Sequence, residues 1–521
     1  MRRHGYVAIR GNPANRSTAV SAENGSYPMN KTTKAFGLAL ALTTAMAGAA
    51  MAQPTEVRIG VALEPPILDP TAGAAEAIDI VVYQNIFEGL VRVDQNGEVE
   101  PSLAKEWTIS DDQLTYTFKL NEGVTFHDGT SFDADDVKFT FDRIVAEDSA
   151  NAHKEFYTPI TSVTVIDPLT VEFKLDEVIG RFLFDLARGD AVIVAPESAD
   201  NNANEPIGTG PFAFVQWDKG SRVILEAYQP YWGTPVHLTK ATYVFISDTA
   251  TMTNALLAGD IDGVNNFAPE ALAVFENNPQ FHVLVGTTEG ETILATNNKK
   301  PPFDNLKVRQ AMAHALNRQA IIDGATYGYG TPIGAPFAPH NPYYVDLTAT
   351  YPFDPEAAKA LLAEAGYPDG FSATLKLPPV AYARLSGQII ASQFAAVGIK
   401  LELINVEFAQ WLEDVYTNKD YDLSIISHVE PFDIGNYANP DYYFNYDNPT
   451  FQALIRTLNG TTDEAKRKEL AIEAQTILAK DAVNGYLFEL AQTGVWNAKL
   501  TGMWQNSPIE GLVLRDIRWT E

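Results

Sequence analysis

The chain of 521 residues contains no cysteine. That absence excludes disulfides, thiol nucleophiles, Cys-based metal sites and the acylated N-terminal cysteine of a lipoprotein together. An oxidising compartment stays compatible, because a core of this size needs no covalent staple. Histidine is scarce, at eight. Those beyond residue 52 (His127, His153, His237, His282, His314, His340 and His428) stand singly, without the H-E-x-x-H spacing of a zinc site. Positive charge is in deficit: 37 Lys and Arg against 66 Asp and Glu leave a net charge of −29. Such a field repels nucleic acid and anionic membranes, favours solubility and tolerates cationic or zwitterionic ligands.

No apolar run reaches the roughly 20 residues that a transmembrane helix needs. The nearest, Ala35 to Ala50, is short and rich in Ala and Gly, follows the basic start Met29-Asn30-Lys31-Thr32-Thr33-Lys34, and ends in Ala50-Met51-Ala52. A cleavable secretory signal over 29–52 is expected, cut after Ala52, with residues 1–28 a mis-assigned or disordered leader. The mature chain is then a soluble periplasmic protein of two or three domains.

Catalytic signatures are missing as well. There is no G-x-S-x-G elbow and no phosphate-cradling G-x-x-x-x-G-K-[ST] loop. Gly208-Thr209-Gly210-Pro211-Phe212-Ala213 fits G-x-G-x-x-A on paper, but Pro206 precedes it and an apolar strand pattern follows, so a turn is expected rather than a dinucleotide site. Asp260-Ile261-Asp262-Gly263 begins like a calcium loop and lacks the later ligands. The pairs Asp111-Asp112 and Asp135-Asp136 read as turns or helix starts. No cofactor, no metal and no enzymatic activity are expected.

What is present is strand and helix grammar. Glu56 to Ala62 alternates, a helix is expected over about 77–90, and Asn96-Gly97 marks a hairpin. Arg222 to Ala227 and Ala241 to Ile246 read as strands. Val308, Ala311, Met312, Ala315 and Leu316 form an amphipathic helical stripe. A second helix opens on Asp354-Pro355 and ends at Gly366. Strand candidates 374–377, 400–404 and 423–426 alternate with helices, which is α/β organisation.

Tyr83 to Arg92, Pro101-Ser102-Leu103-Ala104-Lys105-Glu106-Trp107, Leu114 to Phe118 and Gly123 to Gly129 with Ala134-Asp135-Asp136-Val137 resemble, in order and spacing, the signature block of the family-5 extracellular solute-binding proteins. Pro206 to Phe212, Val308-Arg309-Gln310-Ala311, Asp354 to Tyr367 and Val397-Gly398-Ile399 extend the likeness over 54–521. The resemblance implies an α/β flytrap of the type II (cluster C) periplasmic binding proteins, two lobes with an extra inserted domain. Domain I would comprise 53–90, 206–285 and 485–521, domain II 91–205 and domain III 286–484. It also implies capture of a peptide or peptide-like amine by hinge closure and delivery to an ABC permease in the inner membrane, by a monomer without nucleic-acid partner or membrane anchor.

In peptide-binding members an Asp shortly after a Trp pairs with the ligand ammonium. Here His428 stands where Trp is usual and the following loop is longer, so Glu430 and Asp433 are both candidates for that carboxylate. Trp411, Tyr382 and Tyr437 are candidate apolar or cation–π walls. Within the same receptor class, oligosaccharide, opine or metal-chelate ligands are the alternative. A secreted hydrolase is the reading of a different class, and no nucleophile or metal motif supports it.

Overall fold

Alternation of buried and exposed residues over Glu56–Val61 makes a strand that can be paired on both edges, and it is: parallel to Lys240–Phe245 on one side and to Gly263–Asn265 on the other. The computed structural model describes residues 55–521. The expected leader and export signal lie outside the described residues. Around this strand an 11-stranded sheet runs in the order 399–405, 371–377, 423–428, 281–296, 485–497, 263–265, 56–61, 240–245, 222–227, 212–218, with the short strand Thr331–Pro332 paired to 485–497.

The two central strands, Phe281–Thr296 and Gly485–Asn497, are antiparallel and unusually long. Their outer halves pair with one another from Phe281↔Asn497 to Thr287↔Ala491 and continue into Gly263–Asn265. Beyond a register break they pair again at Glu291↔Glu489, and here Phe281–Thr296 also takes Leu423–His428 as its other neighbour. Among the described residues the chain crosses from one half of the sheet to the other along these two strands. Any change of angle between the halves must be absorbed at the break, where ladder hydrogen bonds are already interrupted.

A separate antiparallel sheet (Ala104–Ile109, Thr115–Leu120, Thr170–Leu175, Ile160–Asp167) packs on the helix Ala134–Val145. The helix starts where the local chemistry demands: the Asp133 carboxylate accepts from the Asp135 amide, and Asp136 reaches back to the Asp133 amide as a capping box. Its Val137, Phe141 and Ile144 meet Tyr116, Phe118 and Phe173, with Phe141 and Phe173 edge-to-face at 4.9 Å and Phe118 and Phe173 at 5.5 Å. Each fully buried ring is worth about 1.5–3 kcal/mol, so this smaller unit carries a core of its own.

Most expected elements form. The helix Leu306–His314 buries Val308, Ala311 and Met312, and Pro355–Glu364 is capped by Asp354, which accepts from the Glu356 and Ala357 amides. Gly97, at φ +81°, turns the hairpin Val91–Val93 to Val99–Pro101. The expected helix over 77–90 is shorter: it spans Glu76–Val82 and breaks at Gln84, whose φ is +55°. The break is held by tertiary contacts that outweigh helical propensity. The buried Asn85 amide donates to Val81 O, Tyr243 Oη and Leu512 O, and its Oδ1 accepts from the Leu514 amide.

The glycines of 208–210 lie against this same turn. The Gly210 amide donates to Ile86 O, and a Cβ on Gly208 would sit 2.0 Å from that carbonyl oxygen. Phe212–Asp218 follows as a strand, so the segment is a close backbone approach and not a nucleotide loop. Asp262 is likewise structural, gripping the Arg58 guanidinium at 2.7 and 3.0 Å and accepting the Arg58 amide at 2.8 Å.

Candidate ligand cleft

The strand Leu423–His428 is buried until its last residues and then runs out into the loop 429–439, which faces the small antiparallel unit. Phe432 is its pivot. Held at φ +63°, a left-handed conformation costly for a bulky residue, it contributes to both cores and meets Phe184 edge-to-face at 4.9 Å across the lobes. Three further contacts join the same surfaces: the Gly180 amide donates to Asn459 O at 2.8 Å, Gln113 Oε1 accepts from the Thr462 amide at 2.8 Å, and Arg188 approaches Glu430 at 3.6 Å. The lobes are therefore in contact in this structure.

Between them lies a cavity of about 830 Å³. Its small-lobe wall comprises His153, Glu155, Phe156 and residues 177–181; the opposite wall comprises Phe337, Tyr343, residues 430–436, Leu458, Asn459 and Arg467. The Arg181 guanidinium lies over the Phe156 ring at 4.5 Å. Arg467 is buried and is held by Leu458 O, Thr461 O and Tyr343 Oη. The lining thus mixes aromatic faces with charges of both signs, a composition suited to a zwitterion. His153 donates to Asp190 at 3.1 Å, and that hydrogen bond raises its pKa above the ordinary imidazole value against the opposing effect of burial.

Among the residues expected at the site, Glu430 and Asp433 both line the cavity, in different states. Glu430 is 56% exposed and directed at Arg188. Asp433 is 6% exposed; its Oδ2 lies 2.9 Å from His428 Nδ1, within ion-pairing distance, and its Oδ1 is buried without a hydrogen-bond partner. His428 lies behind Asp433, stacked on Tyr443, with Nε2 2.8 Å from the Tyr443 hydroxyl. Tyr437 packs in the same core, its hydroxyl accepting from Asn484. Trp411 and Tyr382 stand apart from the cavity lining: the Trp411 indole donates to Ser424 Oγ inside the core, and the Tyr382 hydroxyl accepts the Ser427 amide.

Arg181, Arg467, Phe156, Phe337 and Tyr343 were not foreseen. They come from segments far apart in sequence, and Arg467, flanked by Lys466 and Lys468, looks like part of a solvated charge run. A second unforeseen group, Glu289, Glu291 and Glu489, is buried where the two central strands cross. Its signal was legible: Tyr486-Leu487-Phe488-Glu489-Leu490-Ala491 places one carboxylate in an otherwise apolar strand.

The signature segments serve the scaffold. Buried Glu88 accepts from Thr209, Tyr231 and Trp232; burial raises its pKa and these three bonds oppose the rise. His127 donates from Nε2 to Gly210 O while its Nδ1 accepts the Gly208 amide, and burial lowers its pKa to about 4, so the ring is neutral.

A two-lobed sheet hinged at two crossing strands, with a lined cavity between lobes, defines a solute receptor. The chain belongs to the family described as bacterial extracellular solute-binding proteins, family 5, whose model matches residues 98–451. A glutathione-binding protein of Escherichia coli O1:K1 is 33% identical over 73% of this chain and 74% of that protein. Heme-binding protein A of Haemophilus influenzae is 30% identical over 77% of this chain and 80% of that protein. The structure of a Helicobacter pylori periplasmic binding protein in complex with the peptide STSA superposes with a TM-score of 0.69 at 25% identity, covering 90% of this chain and 99% of that one. The architecture is that of the cluster C type II periplasmic binding proteins, and the function is that of the substrate-binding component of an ABC importer.

Proposed function

We propose that the protein captures a short peptide in the 830 Å³ cavity, with Asp433 as the carboxylate that receives the ligand ammonium. The observation that carries this is the state of Asp433 beside the cavity: its Oδ2 pairs with the His428 ring at 2.9 Å, and its Oδ1 is buried with no hydrogen-bond partner, an acceptor the protein itself leaves empty. A buried carboxylate with a free acceptor gains strongly from a charge-assisted bond. Glu430 is too exposed to compete and serves instead as an interlobe contact through Arg188. Arg181 and Arg467 are the cavity-lining guanidiniums available for a peptide carboxylate. The glutathione named for one relative is itself a tripeptide, and another relative is complexed with a peptide.

In this reading the division into domain I (53–90, 206–285, 485–521), domain II (91–205) and domain III (286–484) frames the motion. Domains I and II close on domain III about the crossing strands, and the monomer delivers its ligand chemically unchanged to the permease. Mass spectrometry of ligand retained through purification, followed by calorimetry with di- to pentapeptides, tests the peptide assignment. Tight binding of a sugar or metal chelate with no binding of any peptide would sink it. Hydrolysed peptide in a stoichiometric mixture would sink the non-catalytic part.

A further inference from the structure

Away from the central strands, the small lobe touches its neighbour at a corner between two helices. The helix Pro449–Asn459 stops at Gly460, and Glu464–Lys480 begins after its N-cap Asp463, so the chain turns within residues 459–463. A corner of this kind leaves backbone groups without helical partners. Arg467, 3% exposed, satisfies two of them, Leu458 O and Thr461 O, from within the same lobe. Two more are satisfied from the other lobe. The Gly180 amide donates to Asn459 O at 2.8 Å, and Gln113 Oε1 accepts from the Thr462 amide at 2.8 Å and from the Thr462 hydroxyl at 2.9 Å.

Both docking residues are set by their own lobe before they meet the corner. Gln113 sits in the left-handed region at φ +61°, a conformation that persists for a non-glycine residue only where the surroundings enforce it. They do: its amide donates to Ser110 O at 2.8 Å, and the Leu114 amide donates to Asp112 Oδ1 at 3.1 Å. Gly180 stands just before the short helix Phe182–Asp185, fastened by the Phe182 amide to Ile179 O. It is not among the left-handed glycines, so its backbone would accept alanine. What it lacks is room. A Cβ would stand 1.8 Å from Arg467 Nη1, 2.4 Å from Thr461 O and 2.9 Å from Leu458 O. Arg467 has little freedom to yield, because those two carbonyls and the Tyr343 hydroxyl hold it. All three obstructing atoms belong to the opposite lobe, so the clash exists only when the lobes are together.

We propose that Gly180 and Gln113 are positioning residues for ligand capture, which lock the small lobe onto the corner 459–463 and keep most of the ligand-free chain closed. Docking surfaces that are already shaped lose little freedom on meeting, which favours the closed arrangement without help from a ligand. Glycine has no side chain to offer a ligand, and Gln113 spends its carbonyl on Thr462. The lock therefore acts on every ligand alike, through the fraction of molecules in the binding-competent state. It goes beyond the peptide reading and does not depend on it.

The absence of cysteine makes the test direct. Lys105→Cys and Lys468→Cys place one dye on each lobe at exposed positions, and energy transfer between them reports closure in the ligand-free protein. The closed population should be the majority, Gly180→Ala should make the open one the majority, and Gln113→Gly should shift it the same way by less. A mainly open ligand-free protein, or populations unmoved by Gly180→Ala, overturns the lock. Calorimetry with trialanine and its lysine- and glutamate-centred analogues should show Gly180→Ala weakening all three by one common factor of at least about fivefold. A loss confined to one peptide would make Gly180 a ligand contact and overturn the lock as well. Binding of no peptide overturns the peptide reading alone, since energy transfer still decides the lock. Should Gly180→Ala fail to fold, Gln113→Gly decides, because φ +61° suits glycine and only the interlobe acceptor is removed.

Discussion

At the scale of single residues, two carboxylates three positions apart were equivalent in sequence and are not equivalent in space. Replacing Asp433 by Asn should weaken peptide binding by about 1.5–3 kcal/mol, roughly 10- to 100-fold in Kd, because a buried charge-assisted bond is lost. Glu430→Gln should cost less than about 1 kcal/mol, since its interlobe ion pair is long and solvent-screened. Calorimetry of both variants with one peptide checks the order; the reverse order would reassign the ammonium site. Trp411→Ala should destabilise the fold by about 3–5 kcal/mol in denaturant titration without touching the ligand directly, because its indole fills the core. The loop around 433 was legible as the place where ligand chemistry concentrates. Which carboxylate serves was not, because burial is decided by Phe432 turning into the left-handed region and by the His428 contact, neither of which leaves a periodic trace in sequence.

At the scale of elements, strands and capped helices were readable because their signals are local. Asp354-Pro355 starts a helix by the same chemistry anywhere, and the short apolar run Val223-Ile224-Leu225 makes a strand wherever the sheet lies. The expected helix over 77–90 ends early because its end is set by contacts that exist only in three dimensions: Asn85 with Leu512, and residues 85–87 with the glycines at 208 and 210. That junction makes a prediction. Gly208→Ala places a Cβ 2.0 Å from the Ile86 carbonyl oxygen, a backbone atom with little freedom to retreat. The substitution should cost about 3 kcal/mol or more, read as a lowered urea midpoint, while the folded fraction keeps its peptide affinity. An unchanged midpoint would mean that the two segments separate easily.

At the scale of the whole molecule, buried acids dominate the response to pH. Burial raises Glu289, Glu291, Glu489 and Asp79, lifts Asp136 and Glu510 to about 7, and lifts Asp185 to about 6. Their unfolded forms ionise near the ordinary carboxylate range of roughly 4. Between those values the folded chain binds more protons, so stability falls as pH rises from about 4.5 through 7. His127 works in the opposite sense, since its folded pKa of about 4 lies below the ordinary 6.5 and favours the fold as pH rises through that interval. His282 is lowered by burial as well, and Glu76 and Glu88 are raised, so two imidazoles stand against nine carboxyls. Calorimetry should find a higher Tm at pH 5.5 than at pH 7.5, and Glu489→Gln should narrow the gap; a Tm that climbs steadily to pH 8 would contradict this. The C-terminal segment has a consequence of another kind. Leu500, Leu512, Leu514 and Ile517 fill the core built on Val57 and Ile59, and the Trp519 indole donates to Glu56 O. The strand Glu56–Val61 is therefore finished by residues more than 430 positions further along the chain, so this lobe cannot close its core until that distant segment has been made and has returned to it.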